Sequence, residues 1–242
     1  MPDTALAQRR SALVRRAFTL SGVFPLGAFL VVHVVANLRA LDGDDAFDRA
    51  VRAFTRVPLL GVVEALFVFA PLLFHAGFGL WLIVRRQPLR SPSPYPPAFR
   101  VALRVTGVLA VAFLAMHLPE LRFREPAVRP DGAVLLAVLD ADLSSMSHGL
   151  PWRAVAYLLG SACVCFHFAV GLWGFFAATP RGAVARTRRR AGGWAIAVGV
   201  TLWLLFADVV VYHATGARLL GGASHDETPT APCPPASASA TP

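Results

Sequence analysis

The sequence contains no lysine, so all 23 of its basic residues are arginine. Charged residues of every kind make up only 15% of the 242 residues, whereas hydrophobic residues make up 56% and the mean hydropathy is +0.57. A soluble domain usually carries charge on about a quarter of its residues. The shortage of charge therefore argues against an ordinary soluble protein and predicts an integral membrane protein.

Cysteine is also scarce, with three residues at positions Cys163, Cys165 and Cys233. Two lie in an apolar run and one in a segment rich in Pro, Ala and Ser, so they indicate no disulfide framework. The thiols are too few to hold an iron–sulfur cluster. The sequence also lacks a C-x-x-C-H motif for covalent haem attachment and a G-x-G-x-x-G motif for a flavin dinucleotide.

Five apolar segments each approach the roughly 20 residues that an α-helix needs to cross a bilayer. Their approximate limits are Phe18–Leu41, Pro58–Val84, Phe99–Leu121, Trp152–Thr179 and Gly192–Tyr212. The first is too long for a signal peptide core, so we expect it to be retained. The predicted fold is all-α, an integral membrane bundle of five transmembrane helices over residues 1–220. A low-complexity, disordered tail is expected over residues 221–242.

The arginines cluster at the ends of the apolar segments, which argues for membrane orientation and against nucleic acid as a partner. The N-terminus, the second loop and the fourth loop are rich in arginine, whereas the first and third loops mix arginine with many carboxylates. Cytoplasmic loops are the ones enriched in positive charge. We therefore expect a cytoplasmic N-terminus, an external C-terminus and a multi-pass location in the lipid of the cytoplasmic (inner) membrane.

Four histidines lie inside apolar segments, one in each of the first four: His33, His75, His117 and His167. An ionisable side chain within hydrocarbon is costly unless it has a partner. At a rise of about 1.5 Å per residue, His75 and His167 lie about 15 to 18 Å from the cytoplasmic ends of their helices. His33 and His117 lie about 8 to 12 Å from the outer ends. Depth therefore predicts an inner and an outer histidine pair.

Two neutral imidazoles that face each other are a suitable axial ligand set for haem iron. Gly79 and Gly171 each lie four residues after an inner-pair histidine, on the same helix face, and should leave room for the macrocycle. Phe74 and Phe166 precede the same histidines and are expected to wall it, with arginines near the surface for the propionates. The remaining histidines, in a loop, at a helix end and in the tail, are not expected to bind haem: His148, His213 and His225.

Four stretches carry a resemblance to a known family: RRAFTLSGVFPLGAFLVVHVVAN, VEALFVFAPLLFHAGFGLW, LRVTGVLAVAFLAMHLPELR and YLLGSACVCFHFAVGLWGF. They resemble the dihaem cytochrome b membrane anchor subunit of succinate dehydrogenase (succinate:menaquinone oxidoreductase) and of the related fumarate reductases. The patterns P-L-L-[FY]-H-A and F-H-F-A-x-G-L-W are specific. The resemblance covers most of the first four helices, whereas the fifth helix and the tail match weakly.

The resemblance implies two haem b groups, with His33 and His117 as iron ligands of the outer haem and His75 and His167 of the inner haem. It implies flavoprotein and iron–sulfur subunits, on other chains, as cytoplasmic partners. Electrons would pass through the inner and then the outer haem to a quinone, menaquinone, near the outer face. The chain alone would not oxidise succinate, but would act as a subunit of a respiratory enzyme of the tricarboxylic acid cycle. Some relatives have a histidine where this chain has Phe18, which is therefore assigned no role.

Three carboxylates in the apolar segments have roles that the sequence leaves open. Glu64 is either a proton-transfer group or a solvated carboxylate at a helix start. Glu120 lies one turn past His117 and is the candidate for a proton group linked to the quinone. Asp208 lies deeper in the fifth helix and needs a partner that the sequence does not identify.

Two other functions remain open. A dihaem, quinone-reactive anchor of the hydrogenase or formate dehydrogenase type would use similar ligands, and a haem-free transporter or scaffold would use the histidines as proton relays. The cytochrome b of quinol:cytochrome c reductases is disfavoured, because it places two ligands on each of two helices.

Overall fold

The computed structural model describes residues 2–86, 95–123, 132–177 and 185–220, and within these ranges the regular elements are helices. They are α1 (Pro2–Val23), α2 (Pro25–Leu38), α3 (Asp44–Thr55), α4 (Leu60–Glu64), α5 (Ala70–Val84), α6 (Pro97–Leu121), α7 (Gly132–Leu143), α8 (Trp152–Ala177) and α9 (Ala185–Thr215). A 3₁₀ turn (Arg39–Asp42) follows α2, and a π-helical segment (Ala65–Phe69) joins α4 to α5. The all-α prediction is confirmed. The tail predicted over residues 221–242 lies outside the described residues.

Five helical stretches are long and apolar enough to cross a bilayer: Ala12–Asp42, Leu60–Val84, Pro97–Leu121, Trp152–Ala177 and Arg186–Thr215. They match the five predicted segments, although the first and the fifth are longer than expected. Large apolar side chains point outward from them, with Leu73 73%, Val84 78% and Trp194 75% exposed. Such a surface is stable against lipid and unstable against water, so the chain is a multi-pass membrane protein.

Prolines shape the first two spans. Pro25 has no N–H to donate, and the regular helix is interrupted at Phe24, between the end of α1 and the start of α2. The Phe24 N–H still donates to the Leu20 carbonyl at 3.0 Å, so the two helices form one continuous span. In the second span the π-helical segment lies shortly before Pro71. In a regular α-helix a proline ring would clash with the carbonyl four residues earlier, which lies inside this segment. His75 follows one turn later.

The central helix is α8, which packs against α1, α6 and α9. The contact with α9 is close because Gly199 has no side chain: a Cβ there would lie 2.6 Å from the Ala169 Cβ and 2.9 Å from the Cys165 carbonyl oxygen. Small residues of this kind let helices approach each other within lipid. The fifth span, which carries no predicted ligand, therefore supports α8, the helix that carries His167.

Two helices outside the five predicted segments, α3 and α7, pack against each other at one end of the bundle. Their contact buries Phe47 and Leu136 together with Ala40 of the 3₁₀ turn. Because α3 follows the first span and α7 follows the third, both lie at the end where those spans finish. We call this the capped end. In the predicted orientation it is the outer end.

Candidate cofactor site formed by two histidine pairs

The structure brings the four intramembrane histidines together in the two pairs that depth indicates. The imidazole centroids of His33 and His117 are 5.9 Å apart, and those of His75 and His167 are 6.1 Å apart. The ring planes of both pairs are nearly perpendicular, at 83° and 88°. The pair near the capped end is called the outer pair and the other the inner pair.

The inner pair is held by hydrogen bonds to the backbone of neighbouring helices. Nδ1 of His75 donates to the Phe18 carbonyl at 3.0 Å, and Nδ1 of His167 donates to the Leu103 carbonyl at 3.1 Å. A helical carbonyl can accept a second hydrogen bond because its oxygen has two lone pairs. This arrangement fixes the Nδ1–H tautomer of both rings, so that Nε2 keeps its lone pair for a ligand bond.

A glycine follows each accepting carbonyl by four residues and gives the imidazole room to reach it. A Cβ at Gly22 would lie 2.5 Å from Cε1 of His75, and a Cβ at Gly107 would lie 2.8 Å from Cε1 of His167. Both distances are shorter than real Cβ contacts. The same local design, a carbonyl with a glycine one turn later, therefore occurs on α1 and on α6.

The outer pair is held mainly by aromatic rings. Phe29 stacks on His33 with centroids 5.4 Å apart, and Phe113 stacks on His117 at the same distance. Tyr157 contacts His117 at 5.7 Å. Among the described residues, Nδ1 of His117 is buried without a hydrogen-bond partner. An unpaired buried nitrogen is costly, and a bond to a metal or to another group would supply what is missing.

Both pairs line one continuous cavity of about 1670 Å³. This volume exceeds the roughly 300–1,000 Å³ of a site for one small ligand. Gly79 and Gly171, from which room was expected, line the cavity, and a Cβ at Gly171 would meet no atom within 4 Å. The expected walls are wrong: Phe74 is exposed on the outside of the bundle and Phe166 stacks on Phe99. Aromatic rings from other positions line the cavity instead, among them Phe18, Phe29, Phe113, Phe168 and Phe206.

The ring separations fit a metal ion held between two imidazoles. With metal–nitrogen bonds of about 2 Å, and a nitrogen about 1.1 Å from the centre of a ring whose bonds are about 1.3 Å, the centroids should be about 6 Å apart. Edge-to-face rings in direct contact have similar separations, but the unpaired Nδ1 of His117 and the adjacent cavity favour a ligand site. No three His, Cys, Asp or Glu side chains cluster to hold a metal within the described ranges. Two protein donors per site suit haem iron, since the macrocycle supplies the other donors.

The charged residues that line the cavity differ between its two ends. Arg15, Arg16 and Arg104 line the end away from the cap, where cations would meet the propionates of a bound haem. At the capped end Arg122 and Glu64 line the cavity and form an ion pair, with Arg122 Nη2 2.5 Å from Glu64 Oε2. Glu64 is therefore an ion-paired carboxylate at the end of α4 and not at a helix start, and its role in proton transfer stays a prediction.

The other two carboxylates singled out in the sequence also have partners. Glu120 is outside the cavity lining, and its Oε2 lies 2.7 Å from Arg153 Nη1 and 3.5 Å from the hydroxyl of Tyr157, a residue that lines the cavity. Asp208, whose partner was unknown, is buried near the capped end. It accepts from Arg218 at 3.1 Å and from the backbone N–H groups of Leu219 at 2.6 Å and Leu220 at 3.1 Å. The chain after α9 thus folds back to satisfy this carboxylate.

Sequence reasoning missed Gly22 and Gly107. A usable signal existed, because both glycines lie about ten residues from the same end of their spans as His75 and His167. An intramembrane glycine at the depth of a buried histidine on another helix indicates close approach. His213 was also set aside, and its buried position at the capped end of the cavity is not visible in the local sequence.

These features define a five-span membrane protein in which two stacked histidine pairs line one cavity. The succinate dehydrogenase cytochrome b558 subunit of Bacillus subtilis (strain 168) is 29% identical to this chain over 171 residues, which are 70% of this chain and 81% of the relative. The resemblance to a cytochrome b membrane subunit of succinate dehydrogenase, found in the four sequence stretches, is thereby confirmed. No protein-family model matches the chain, and no solved structure matches it.

Proposed function

We propose that this chain is the membrane-anchoring cytochrome b subunit of a succinate dehydrogenase or a related fumarate reductase. In this role it anchors a flavoprotein subunit and an iron–sulfur subunit to the cytoplasmic membrane and carries electrons between them and a membrane quinone, menaquinone. One observation carries the proposal: a chain similar to a succinate dehydrogenase cytochrome b has two histidine pairs at metal-ligand separation in one cavity.

In this proposal the chain holds two haem b groups, which supply reversible one-electron transfer when bound. His75 and His167 are the axial ligands of the inner haem, and His33 and His117 are those of the outer haem. The carbonyls of Phe18 and Leu103 orient the inner ligands. The arginines at the end away from the cap are placed for propionates and for the interface with the iron–sulfur subunit.

The first experiment is purification of the complex through a tag on this chain. We expect two non-covalent haem b per chain by pyridine haemochrome analysis, co-purified flavoprotein and iron–sulfur subunits, and succinate:quinone activity. Hydrogenase or formate dehydrogenase subunits in their place would establish the alternative dihaem anchor. A haem-to-chain ratio near zero would leave the haem-free alternative.

Single histidine variants test the ligand assignment. His75→Ala and His167→Ala should remove the same spectral component, while His33→Ala and His117→Ala remove the other. His148→Ala is the matched control, because this histidine is exposed in a loop and its ring contacts Ser147. Loss of one common component in the His75 and His117 variants would contradict the pairing.

Glu120 stays a proposed quinone-linked group. Tyr157 connects it to the cavity, since Tyr157 lines the cavity and its hydroxyl lies 3.5 Å from Glu120 Oε2. We expect Glu120→Gln to slow quinone-linked turnover while haem content stays at two per chain. Asp45→Asn, on the exposed first turn of α3, is the control for loss of one carboxylate.

A further inference from the structure

His213 lies in the last turn of α9 and is almost completely enclosed, with a side chain that is 1% exposed. Its Nδ1 is 2.6 Å from Oδ1 of Asp140 on α7. The Asp140 side chain is 61% exposed. A buried imidazole therefore donates a hydrogen bond to a carboxylate that is in contact with the exterior of the bundle.

The other ring nitrogen of His213, Nε2, differs from Nδ1 in its contacts. Among the described residues, Nε2 is buried and lacks a hydrogen-bond partner, and His213 lines the cavity that contains both histidine pairs. Leaving such a buried nitrogen unpaired is costly. In the neutral imidazole Nδ1 carries the hydrogen and Nε2 is an acceptor, so the partner that this form lacks is a hydrogen-bond donor inside the cavity.

The position of His213 places this donor close to the outer pair. Val210, one turn before His213 on the same helix face, packs in a buried cluster with Tyr157. The Tyr157 ring contacts His117 at 5.7 Å. His213 and the outer pair therefore lie around the same capped end of the cavity.

Charged groups on the surrounding elements have other partners. Asp142 of α7 and Glu120 of α6 both contact Arg153 of α8, at 3.8 and 2.7 Å. On α9 itself, Asp208 pairs with Arg218, which follows the helix, and the centroid of the Tyr212 ring lies 5.5 Å from that of the His213 ring. In the 3₁₀ turn, Arg39 pairs with Asp42. Asp140 is thus the carboxylate that contacts His213.

We propose that His213, oriented by Asp140, binds the hydroxyl of the quinol head group at the capped end of the cavity and accepts its proton. This inference rests on the proposed function, which supplies the quinone. The quinol hydroxyl donates to Nε2, one quinol O–H bond breaks and an N–H bond forms at Nε2. The products are a quinol monoanion, which gives up electrons more readily than the neutral quinol, and an imidazolium. No electron moves in this step.

Asp140 has two roles in this exchange. Its carboxylate stabilises the imidazolium, as a buried cation requires an adjacent counter-charge. The N–H bond at Nδ1 of the imidazolium then breaks, Oδ1 of Asp140 takes this proton, and the exposed carboxyl group releases it to bulk water at the capped end. In the direction of quinone reduction, the same steps run in reverse, and the imidazolium protonates the monoanion through Nε2.

The test uses the purified complex with menadiol as the soluble quinol and fumarate as the acceptor. We expect His213→Gln to lower menadiol oxidation about 100-fold, in the range for loss of a general base, and to abolish the rise of the rate with pH. Asp140→Asn, which keeps an acceptor for Nδ1, should lower it at least about tenfold. Calorimetric titration under argon should show weaker menadiol binding to His213→Gln. His148→Gln is the matched control and should behave as the wild type.

Two further readouts separate this inference from the proposed function. Haem content should stay at two per chain in both variants, and fumarate reduction by a soluble dye, which bypasses the quinone, should be unchanged. A His213→Gln complex with wild-type menadiol oxidation and pH profile would overturn the inference alone. If His213→Gln loses haem, Asp140→Asn decides, and a wild-type rate in that variant overturns the inference. A wild-type complex without haem or menadiol activity would instead refute the proposed function.

Discussion

Gly22 and Gly107 provide a test of the cofactor site that leaves all four histidines in place. Replacing Gly22 with alanine would put a Cβ 2.5 Å from Cε1 of His75, about 0.9 Å short of the 3.4 Å at which ordinary van der Waals contact begins. The imidazole cannot yield freely, because it donates to the Phe18 carbonyl and stacks on the Phe18 ring at 4.5 Å. A ligand bond tolerates displacements of only about 0.2 Å.

We therefore expect Gly22→Ala to weaken retention of the inner haem. Overpacking of this kind costs about 1–3 kcal/mol, which corresponds to about 5- to 150-fold in affinity. Haem content should fall from two toward one per chain, and the remaining spectrum should be that of the outer haem. In Gly107→Ala the added Cβ would lie about 0.6 Å closer to Cε1 of His167 than van der Waals contact allows. This variant should also lose the inner haem, but to a smaller extent.

The assay is pyridine haemochrome quantitation together with low-temperature difference spectra of the purified complex. Gly77→Ala is the matched control, since it adds the same methyl group two residues from His75, where no atom lies within 4 Å. The outer haem serves as an internal reference in every sample. Two haems per chain with unchanged spectra in Gly22→Ala would refute the argument that this glycine makes room for a liganding imidazole.

Three further predictions address charge, stability and topology. Three arginines line the cavity away from the cap and an ion pair lines the capped end, and positive charge nearby favours the reduced state of a haem. A redox titration should therefore lose its higher-potential component in His75→Ala and its lower-potential component in His33→Ala. The opposite assignment of the two components would contradict this. Asp208→Ala should destabilise the protein by about 2 kcal/mol. This is below the 3–5 kcal/mol typical of a broken buried pair, because the arginine partner of Asp208 is 28% exposed. In detergent the midpoint temperature of thermal unfolding should fall by several degrees, whereas the exposed control Asp45→Ala should leave it unchanged. Reporter fusions at Pro242 and in the second loop should give opposite signals, external and cytoplasmic, and identical signals would refute the orientation.

The sequence determined the spans and the depth of the four intramembrane histidines. A bilayer core requires about 20 apolar residues per helix, so five such runs left little freedom in the fold. The fixed rise per residue converts position into depth. For the same reason the matching of His75 with His167, and of His33 with His117, followed from position along each helix before any helix packing was known.

Features that depend on how helices rotate about their axes were decided only by the tertiary structure. Phe74 and Phe166 directly precede the histidines of the inner pair in the sequence, but adjacent residues on a helix point in different directions, and neither phenylalanine lines the cavity. The depth of Gly22 and Gly107 could be read from the sequence, but only the packing showed that Gly22 faces His75 and that Gly107 faces His167.

The capped end shows the same division most clearly. Asp140 and His213 are separated by 73 residues, and no spacing rule joins a carboxylate on a loop helix to a histidine at the end of the fifth span. The contact exists because α7 packs onto α8 and α9 and closes the cavity from one side. Local apolarity and helical rise set which residues are at which depth, whereas the packing of the cap decided which polar groups meet.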